Sequence, residues 1–322
     1  SVVNDVFQKL LAEDMLRTEE VGGLRLIYPE YLYQAEVQTS KRLLKLRDLA
    51  DALEKVNVDK IIGQWESEAG IVLAEAQKEA IHASLKYGVF VLTGGPGTGK
   101  TTVIKGILAV LEKAGCRILL AAPTGRAARR LADSSGHPAV TVHRLLEYTP
   151  NGGGFNFGKN DGDPLDADAI IIDEASMLDI TLTYHLLKAV QGGCRLIFVG
   201  DVDQLPSVGA GSVLKDIIRS QKMPVVRLEN VFRQAEISPI VRNAHRINRG
   251  QMPEWEPSSD FTFVEIDNEF DAAEYVANIY ARLTQQSDWQ SVQVLSPMHK
   301  NPCGVQNLNH LLQQRINPPE LN

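Results

Sequence analysis

The chain has 322 residues, 44% of them hydrophobic and 23% charged, and a formal net charge of −7. This is globular composition, long enough for two or three domains with cores of their own, and it excludes a disordered or collagen-like chain. The acid excess argues against a protein that grips nucleic acid by bulk charge, but it leaves room for a local basic groove.

From the first residue to about residue 20, Val6, Leu10 and Leu11 recur at helical spacing. "MLRTEEVGGLRLIYP" then reads as two short strands around Gly22 and Gly23, a hairpin signal. Together they suggest a small helical, winged-helix-like region over residues 1–70. Residues 31–80 are rich in Leu, Ala, Glu and Lys and contain no proline, so connected helices are expected there.

Residues 71–222 are more regular. "YGVFVLTG", "RILLAAP", "ADAIIIDEA" and "CRLIFVGD" read as apolar strands. They alternate with helical stretches such as "GRAARRLADS" and "TLTYHLLKAV". That alternation predicts an α/β unit with a parallel sheet covered on both faces and its ligand site at the carboxyl ends of the strands. Residues 147–165, "EYTPNGGGFNFGKNDGDPL", interrupt the pattern and read as a projecting hairpin. Residues 223–322 read as a partial second α/β unit with strands "FTFVEI" and "VQVLSP" and helices "AAEYVANIYARL" and "GVQNLNHLLQQ". Cys116, Cys194 and Cys303 lack disulfide or metal spacing and fit a reduced, cytoplasmic protein. The apolar runs are too short to span a bilayer and no signal-peptide pattern opens the chain, so no membrane association is expected.

"LTGGPGTGKTT" carries the chemistry. Gly94, Gly99, Lys100 and Thr101 fit the spacing G-x-x-x-x-G-K-[ST] between a strand and a helix. In such a loop the backbone of Gly95, Pro96, Gly97, Thr98 and Gly99 curls so that N–H groups converge on phosphate oxygens. Lys100 then reaches the β- and γ-phosphates of a nucleotide, and the Thr101 hydroxyl ligates Mg²⁺. Thr102 completes the loop–helix junction, where helix packing is its other reading. Asp173 and Glu174 end the apolar strand "IIID". An acid there can hold the Mg²⁺ shell while its neighbour orients or deprotonates an attacking water. One strand later "VGDVDQLPSV" offers Asp201 as a brace and Gln204 as a γ-phosphate sensor or a plain turn residue.

Taken in order, "LTGGPGTGKTT", "AAPTGRAARRL", "TVHRLL", "IIIDEASM", "VGDVDQLPSVG" and "LENVFRQ" resemble the motifs of superfamily 1 helicases. Specifically they resemble the RecD-like 5′→3′ DNA helicases, the family of the exodeoxyribonuclease V alpha subunit and its stand-alone relatives. The resemblance implies a RecA-like P-loop NTPase motor domain and a partial second one. It also implies an ATP- and Mg²⁺-dependent motor on single-stranded DNA and DNA forks, working as a monomer with possible repair-protein partners.

By residue, the resemblance makes Gln77 the reader of adenine and Arg233 the arginine that reaches the γ-phosphate. It makes Thr124, Arg126, His143 and Arg144 contacts to single-stranded DNA, and the 147–165 hairpin the pin that parts strands, with Phe155 and Phe157 as wedge or packing residues. Arg129 and Arg130 also read as a solvated helix face. The family's last motifs have no counterpart before residue 322, so slow hydrolysis by this chain is expected. Two other readings stay open: a relative acting on RNA, and a nucleotide-binding module that regulates partner proteins.

Overall fold

A computed structural model describes residues 2–49, 56–151, 154–228, 238–255, 260–285 and 287–317. It begins with helix α1 (Val2–Ala12) and the antiparallel strands β1 (Leu16–Val21) and β2 (Leu24–Pro29). Gly22 and Gly23 both take positive φ at the tight turn between them, as a two-residue hairpin whose twist matches its strands requires. Three helices follow, α2 (Glu30–Leu49), α3 (Val58–Ala69) and α4 (Glu75–Lys86).

The strands β3 (Val89–Gly94), β4 (Ile118–Ala122) and β5 (Ala139–Thr141) come next, interleaved with α5 (Lys100–Lys113), α6 (Gly125–Ser135) and the short α7 (Val142–Leu145). The hairpin β6 (Tyr148–Asn151) and β7 (Gly154–Phe157) is inserted before β8 (Ala169–Ile172), α8 (Ile180–Ala189), β9 (Arg195–Gly200), α9 (Val213–Ser220) and β10 (Val225–Leu228). The six strands of the main sheet are all parallel, in the order β10-β3-β9-β8-β4-β5.

Strand periodicity sorts the core into two layers. On β3, Val89 and Val91 face one layer while Phe90 and Leu92 face the other. On β8, Ile170 and Ile172 divide from Ala169 and Ile171 in the same way, and on β9 Leu196 and Phe198 divide from Ile197 and Val199. Alternate side chains of one strand point to opposite faces, so a near-continuous apolar run supplies both cores at once. Helices α2, α8 and α9 cover the first face, and α3 to α6 cover the second. The expected parallel α/β architecture is the one found.

The domain boundaries differ from those read in the sequence. Ala35, Leu43 and Leu46 of α2 and Ile62 of α3 belong to the two cores of the sheet, so no break in packing falls near residue 70. Strand β10 pairs with β3 in register Val225↔Val91 to Leu228↔Gly94, which puts it in the first unit instead of the second. The first compact unit runs from Ser1 to Met252 and includes α10 (Pro239–Asn248).

The second unit, Pro253 to Asn322, holds α11 (Glu269–Thr284) and α12 (Val305–Ile316). These two helices pack through Ala273, Ala277 and Leu308, with Arg315 paired to Glu274. The helices expected there form, but neither "FTFVEI" nor "VQVLSP" is a strand among the described residues. A strand needs a neighbour for its N–H and C=O groups, and alternating apolar residues cannot supply one.

Thr39 on α2 is 4% exposed and among the described residues its hydroxyl has no hydrogen-bond partner. An unpaired buried hydroxyl costs more than a methyl of the same shape. Thr39→Val is therefore expected to raise stability by about 1 kcal/mol, seen as a higher urea midpoint at unchanged slope.

Candidate functional site

The loop between β3 and α5 is shaped by its glycines. Gly97 and Gly99 have φ of 75° and 87°, conformations that cost an L side chain about 1–2 kcal/mol. At Gly94 the reason is space, since a Cβ there would lie 2.6 Å from Thr98 Oγ1 and 2.9 Å from the Leu228 carbonyl oxygen. Thr98, itself buried, donates its hydroxyl to the Gly95 carbonyl at 2.9 Å. No side chain caps the start of α5, which leaves the first-turn N–H groups and the positive end of the helix for an anion.

Lys100 donates to the carbonyls of Gly94 at 2.5 Å and Gly95 at 3.0 Å, so its ammonium lies across the loop. Burial lowers its pKa, opposed by the carboxylates of Asp201, Glu174 and Asp173. Those acids come from the ends of β9 and β8, and the order β3-β9-β8 sets all three strand ends side by side. Asp173 is pushed the other way: burial raises its pKa and Glu174 adds to the rise, while the Glu174 N–H, Lys100 and Arg130 oppose it. One cation and three carboxylates from three adjacent strands therefore share a single electrostatic neighbourhood.

Glu174 sits in the left-handed region at φ 52°, which is costly for a non-glycine residue and persists only where its surroundings enforce it. Its N–H donates to Asp173 Oδ1 at 2.9 Å, and among the described residues its buried Oε2 has no partner. A buried, unpaired carboxylate oxygen on a strained backbone is a group held ready to accept a proton or a hydrogen bond. The next loop is tied to β3, because the Val202 N–H donates to Thr93 Oγ1 at 3.3 Å. Asp201 is 4% exposed and its Oδ1 accepts from the Asp203 N–H. Gln204 is exposed and lines a cavity of about 100 Å³ with Ser176, Lys215 and Leu214. Among the described residues the Ser176 hydroxyl has no partner.

Gln77 is buried at the start of α4. It is 3% exposed, accepts from the Ala74 N–H at 3.0 Å and donates to the Thr98 carbonyl at 3.4 Å. It thus ties the start of α4 to the phosphate-type loop while keeping a second amide N–H in hand. Thr101 is exposed and Thr102 half-buried at the first turn of α5. Arg233 lies outside the described residues.

The basic residues gather further along the same rim. Strands β4 and β5 are neighbours, with Ala122 opposite Thr141, and neighbouring strands are about 4.8 Å apart. Helices α6 and α7 start from their adjoining ends, so Thr124 and Arg126 share this edge of the sheet with His143 and Arg144. Thr124 Oγ1 caps α6 by accepting from Ala127 N, and Thr141 caps α7 by accepting from Arg144 N. Arg126, His143 and Arg144 are exposed.

The inserted hairpin is anchored to this rim. Its strands run with Tyr148 opposite Phe157. Tyr148 and Phe157 pack at a tilt against each other, and His143 meets Tyr148 edge-on and Phe157 at a tilt, with centroids 5.2, 5.6 and 6.5 Å apart. Phe157 also packs on His185 of α8 at 4.4 Å, where burial and the Lys188 ammonium lower the imidazole pKa. Phe157 is thus a packing residue at the hairpin base, while the Phe155 side chain lies outside the described residues. Residues 158–165 return as a loop that Arg42 of α2 grips through Asp161 at 2.7 Å.

Sequence reasoning missed two residues. Arg130 reads as a solvated face, and it is exposed, yet its charge acts on both Lys100 and Asp173. Its spacing of four from Arg126, the same helix face, was the available signal. His245 of α10 lies near the loop, its Cε1 3.9 Å from where a Cβ at Gly95 would be. No local pattern announces a neighbour so far along the chain.

Comparisons with known proteins follow the same residues. A family model described as an AAA domain matches residues 77–210. The ATP-dependent RecD2 DNA helicase of Deinococcus radiodurans is 41% identical over 249 residues, covering 77% of this chain and 33% of the relative. The RecBCD enzyme subunit RecD of Mycobacterium tuberculosis is 44% identical over 167 residues, covering 45% of this chain and 28% of the relative. A crystal structure of Pif1 helicase from Candida albicans overlays with a TM-score of 0.43 at 20% identity, covering 65% of this chain and 55% of that one. The chain spans about a third or less of the length of the curated relatives it matches.

Proposed function

We propose that this chain, which belongs to the RecD-like superfamily 1 helicases, is the ATP-binding portion of a motor that moves on single-stranded DNA. The observation that carries this reading is the meeting of Lys100, Asp173, Glu174 and Asp201 at the ends of β3, β8 and β9. In it, the loop from Gly95 to Gly99 holds the phosphates by its N–H groups, with Lys100 turning from the loop carbonyls to the β- and γ-phosphates and Thr102 packing beneath. Thr101 and Asp173 are the residues that would hold Mg²⁺. When bound, that ion neutralises charge on the transferring phosphoryl group. Glu174 orients the attacking water and takes its proton, Gln204 senses the γ-phosphate, and Gln77 meets the adenine edge. Arg233 adds positive charge at the γ-phosphate, a role that rests on the resemblance of "VFRQ" alone.

Thr124, Arg126, His143 and Arg144 hold the DNA backbone, because hydroxyls and cations gathered at helix starts suit phosphate oxygens. The hairpin beside His143 is the element that parts strands at a fork. Polarity of 5′→3′, action as a monomer, repair-protein partners and a place in the cytoplasm belong to the same reading by resemblance. No helix among the described residues is long and apolar enough to cross a membrane.

The test is fluorescence anisotropy of labelled oligo-dT at fixed salt, with and without a non-hydrolysable ATP analogue and Mg²⁺. A nucleotide can shift grip only through its different affinity for two states of the protein. The reading expects DNA affinity to change by about tenfold, a coupling of roughly 1–2 kcal/mol. Nucleotide binding with no affinity for the oligonucleotide would favour the regulatory-module reading, and tighter binding to oligo-U would favour RNA.

A further inference from the structure

Helices α2 and α9 leave a groove of about 440 Å³ between them, remote in composition from the nucleotide site. Its floor is apolar, built from Val37 and Leu43 of α2, Ile180 at the start of α8, and Val213 and Ile217 of α9. Its rim is acidic: Glu19 of β1, Glu36 of α2 and Asp216 of α9 line it, with Lys222 as the opposing cation. Partial desolvation at the groove edge and the charges of Asp216 and Glu19 raise the pKa of Glu36, whose side chain is still exposed, so the three carboxylates feel one another.

None of the three makes an ion pair or a side-chain hydrogen bond among the described residues. Three acids on or against α2 do otherwise. Glu30 takes Arg17, Asp161 takes Arg42 and Asp48 takes Arg47. Carboxylates that repel one another around an apolar trough favour a ligand that brings cations and apolar surface together.

We propose that this groove docks a cationic, amphipathic segment of a partner protein, its apolar side chains on Val37, Leu43 and Ile217 and its Lys or Arg side chains among Glu19, Glu36 and Asp216. Charge selects this occupant over the others. A nucleic-acid backbone would place phosphates against three carboxylates. A second copy of this chain would bring a body of net charge −7 to an acidic rim.

The probe is a labelled synthetic helix of about four turns with a leucine face and an arginine face, set beside a twin with glutamate in place of each arginine. Anisotropy with the whole chain is expected to show saturable binding of the arginine peptide alone. Glu36→Gln with Asp216→Gln, both exposed positions, is expected to weaken it about tenfold, two exposed pairs at roughly 0.5–1 kcal/mol each. Glu68→Gln with Glu79→Gln removes the same charge from exposed sites outside the groove and is expected to leave binding unchanged. Equal binding of both peptides, no saturable binding, or equal loss in the two double variants would overturn the proposal. So would a dimer in sedimentation that the groove variant dissociates, because the occupant would then be a second copy. None of these outcomes depends on ATP or DNA, so this proposal and the motor reading stand or fall separately.

Discussion

Lys100→Ala is expected to weaken binding of a fluorescent ATP analogue by about 10–10²-fold, since a hydrogen bond to a charged group contributes about 1.5–3 kcal/mol. The same variant is expected to bind oligo-dT within about twofold of the parent in the absence of nucleotide, since electrostatic grip tracks the cations that meet DNA phosphates. The separation follows from strand order. Lys100 lies at the end of β3, whereas Thr124 and His143 follow β4 and β5, with β9 and β8 between them.

Folding should not suffer, and the direction of the Lys100 pKa says why. Burial lowers it, so the charged form is less favourable in the folded chain than in the unfolded one. That is a cost present below the lowered pKa and relieved as pH rises through it to the ordinary lysine value. Removing the ammonium at neutral pH removes the cost together with two hydrogen bonds to loop carbonyls. Thermal denaturation of the variant should therefore match the parent closely. Loss of DNA binding in parallel with nucleotide binding would refute the separation, and a large drop in melting temperature would mean that the lysine holds the loop together.

The parts of this molecule that local chemistry dictates could be read directly. The spacing from Gly94 to Thr101 places the positive-φ glycines at the start of α5, because a chain can make that turn only where Cβ is missing. The buried strands were visible because both faces of a parallel sheet must be apolar. What escaped was pairing. β10 looks like the opening of a second domain, yet it joins the first sheet beside β3, since an apolar strand does not encode which edge it joins. The N-terminal helices read as a separate region, but Leu43 and Ile62 complete the two cores. No local pattern announces the burial of Gln77, whose amide reaches the Thr98 carbonyl twenty-one positions away. "FTFVEI" has the composition of a strand and no neighbour among the described residues. The acids at the strand ends were legible, but the groove between α2 and α9 was not, because its walls come from segments far apart in the chain.

Asp173→Asn is expected to make the protein more stable and less able to use Mg²⁺. Burial, reinforced by Glu174, raises the pKa of Asp173, so the folded chain holds its proton more tightly than the unfolded chain does. Stability must then fall as pH rises from the ordinary carboxylate value through the raised one, and the penalty is complete above both. An asparagine keeps the shape and can still accept from the Glu174 N–H, but it carries no charge to desolvate. The gain at pH 7 is expected to be about 1–2 kcal/mol, as when strain at a functional site is relieved. It should shrink towards zero in acid, where the parent's carboxyl is protonated as well.

The functional cost runs opposite. A hard cation needs the ionised carboxylate, so the parent should bind an ATP analogue more tightly when Mg²⁺ is added, with the increment fading as pH drops towards the raised pKa. The variant should show almost no increment at any pH. Denaturation curves for the pair across pH, and nucleotide titrations with and without Mg²⁺, measure both halves. A less stable variant at pH 7 would show that Asp173 is a structural acid, stabilised by Lys100 and Arg130 beyond the cost of its burial. A variant with an undiminished Mg²⁺ increment would move the cation to another carboxylate, and Asp201, already buried at the end of β9, is the one the strand order leaves within reach of the phosphate loop.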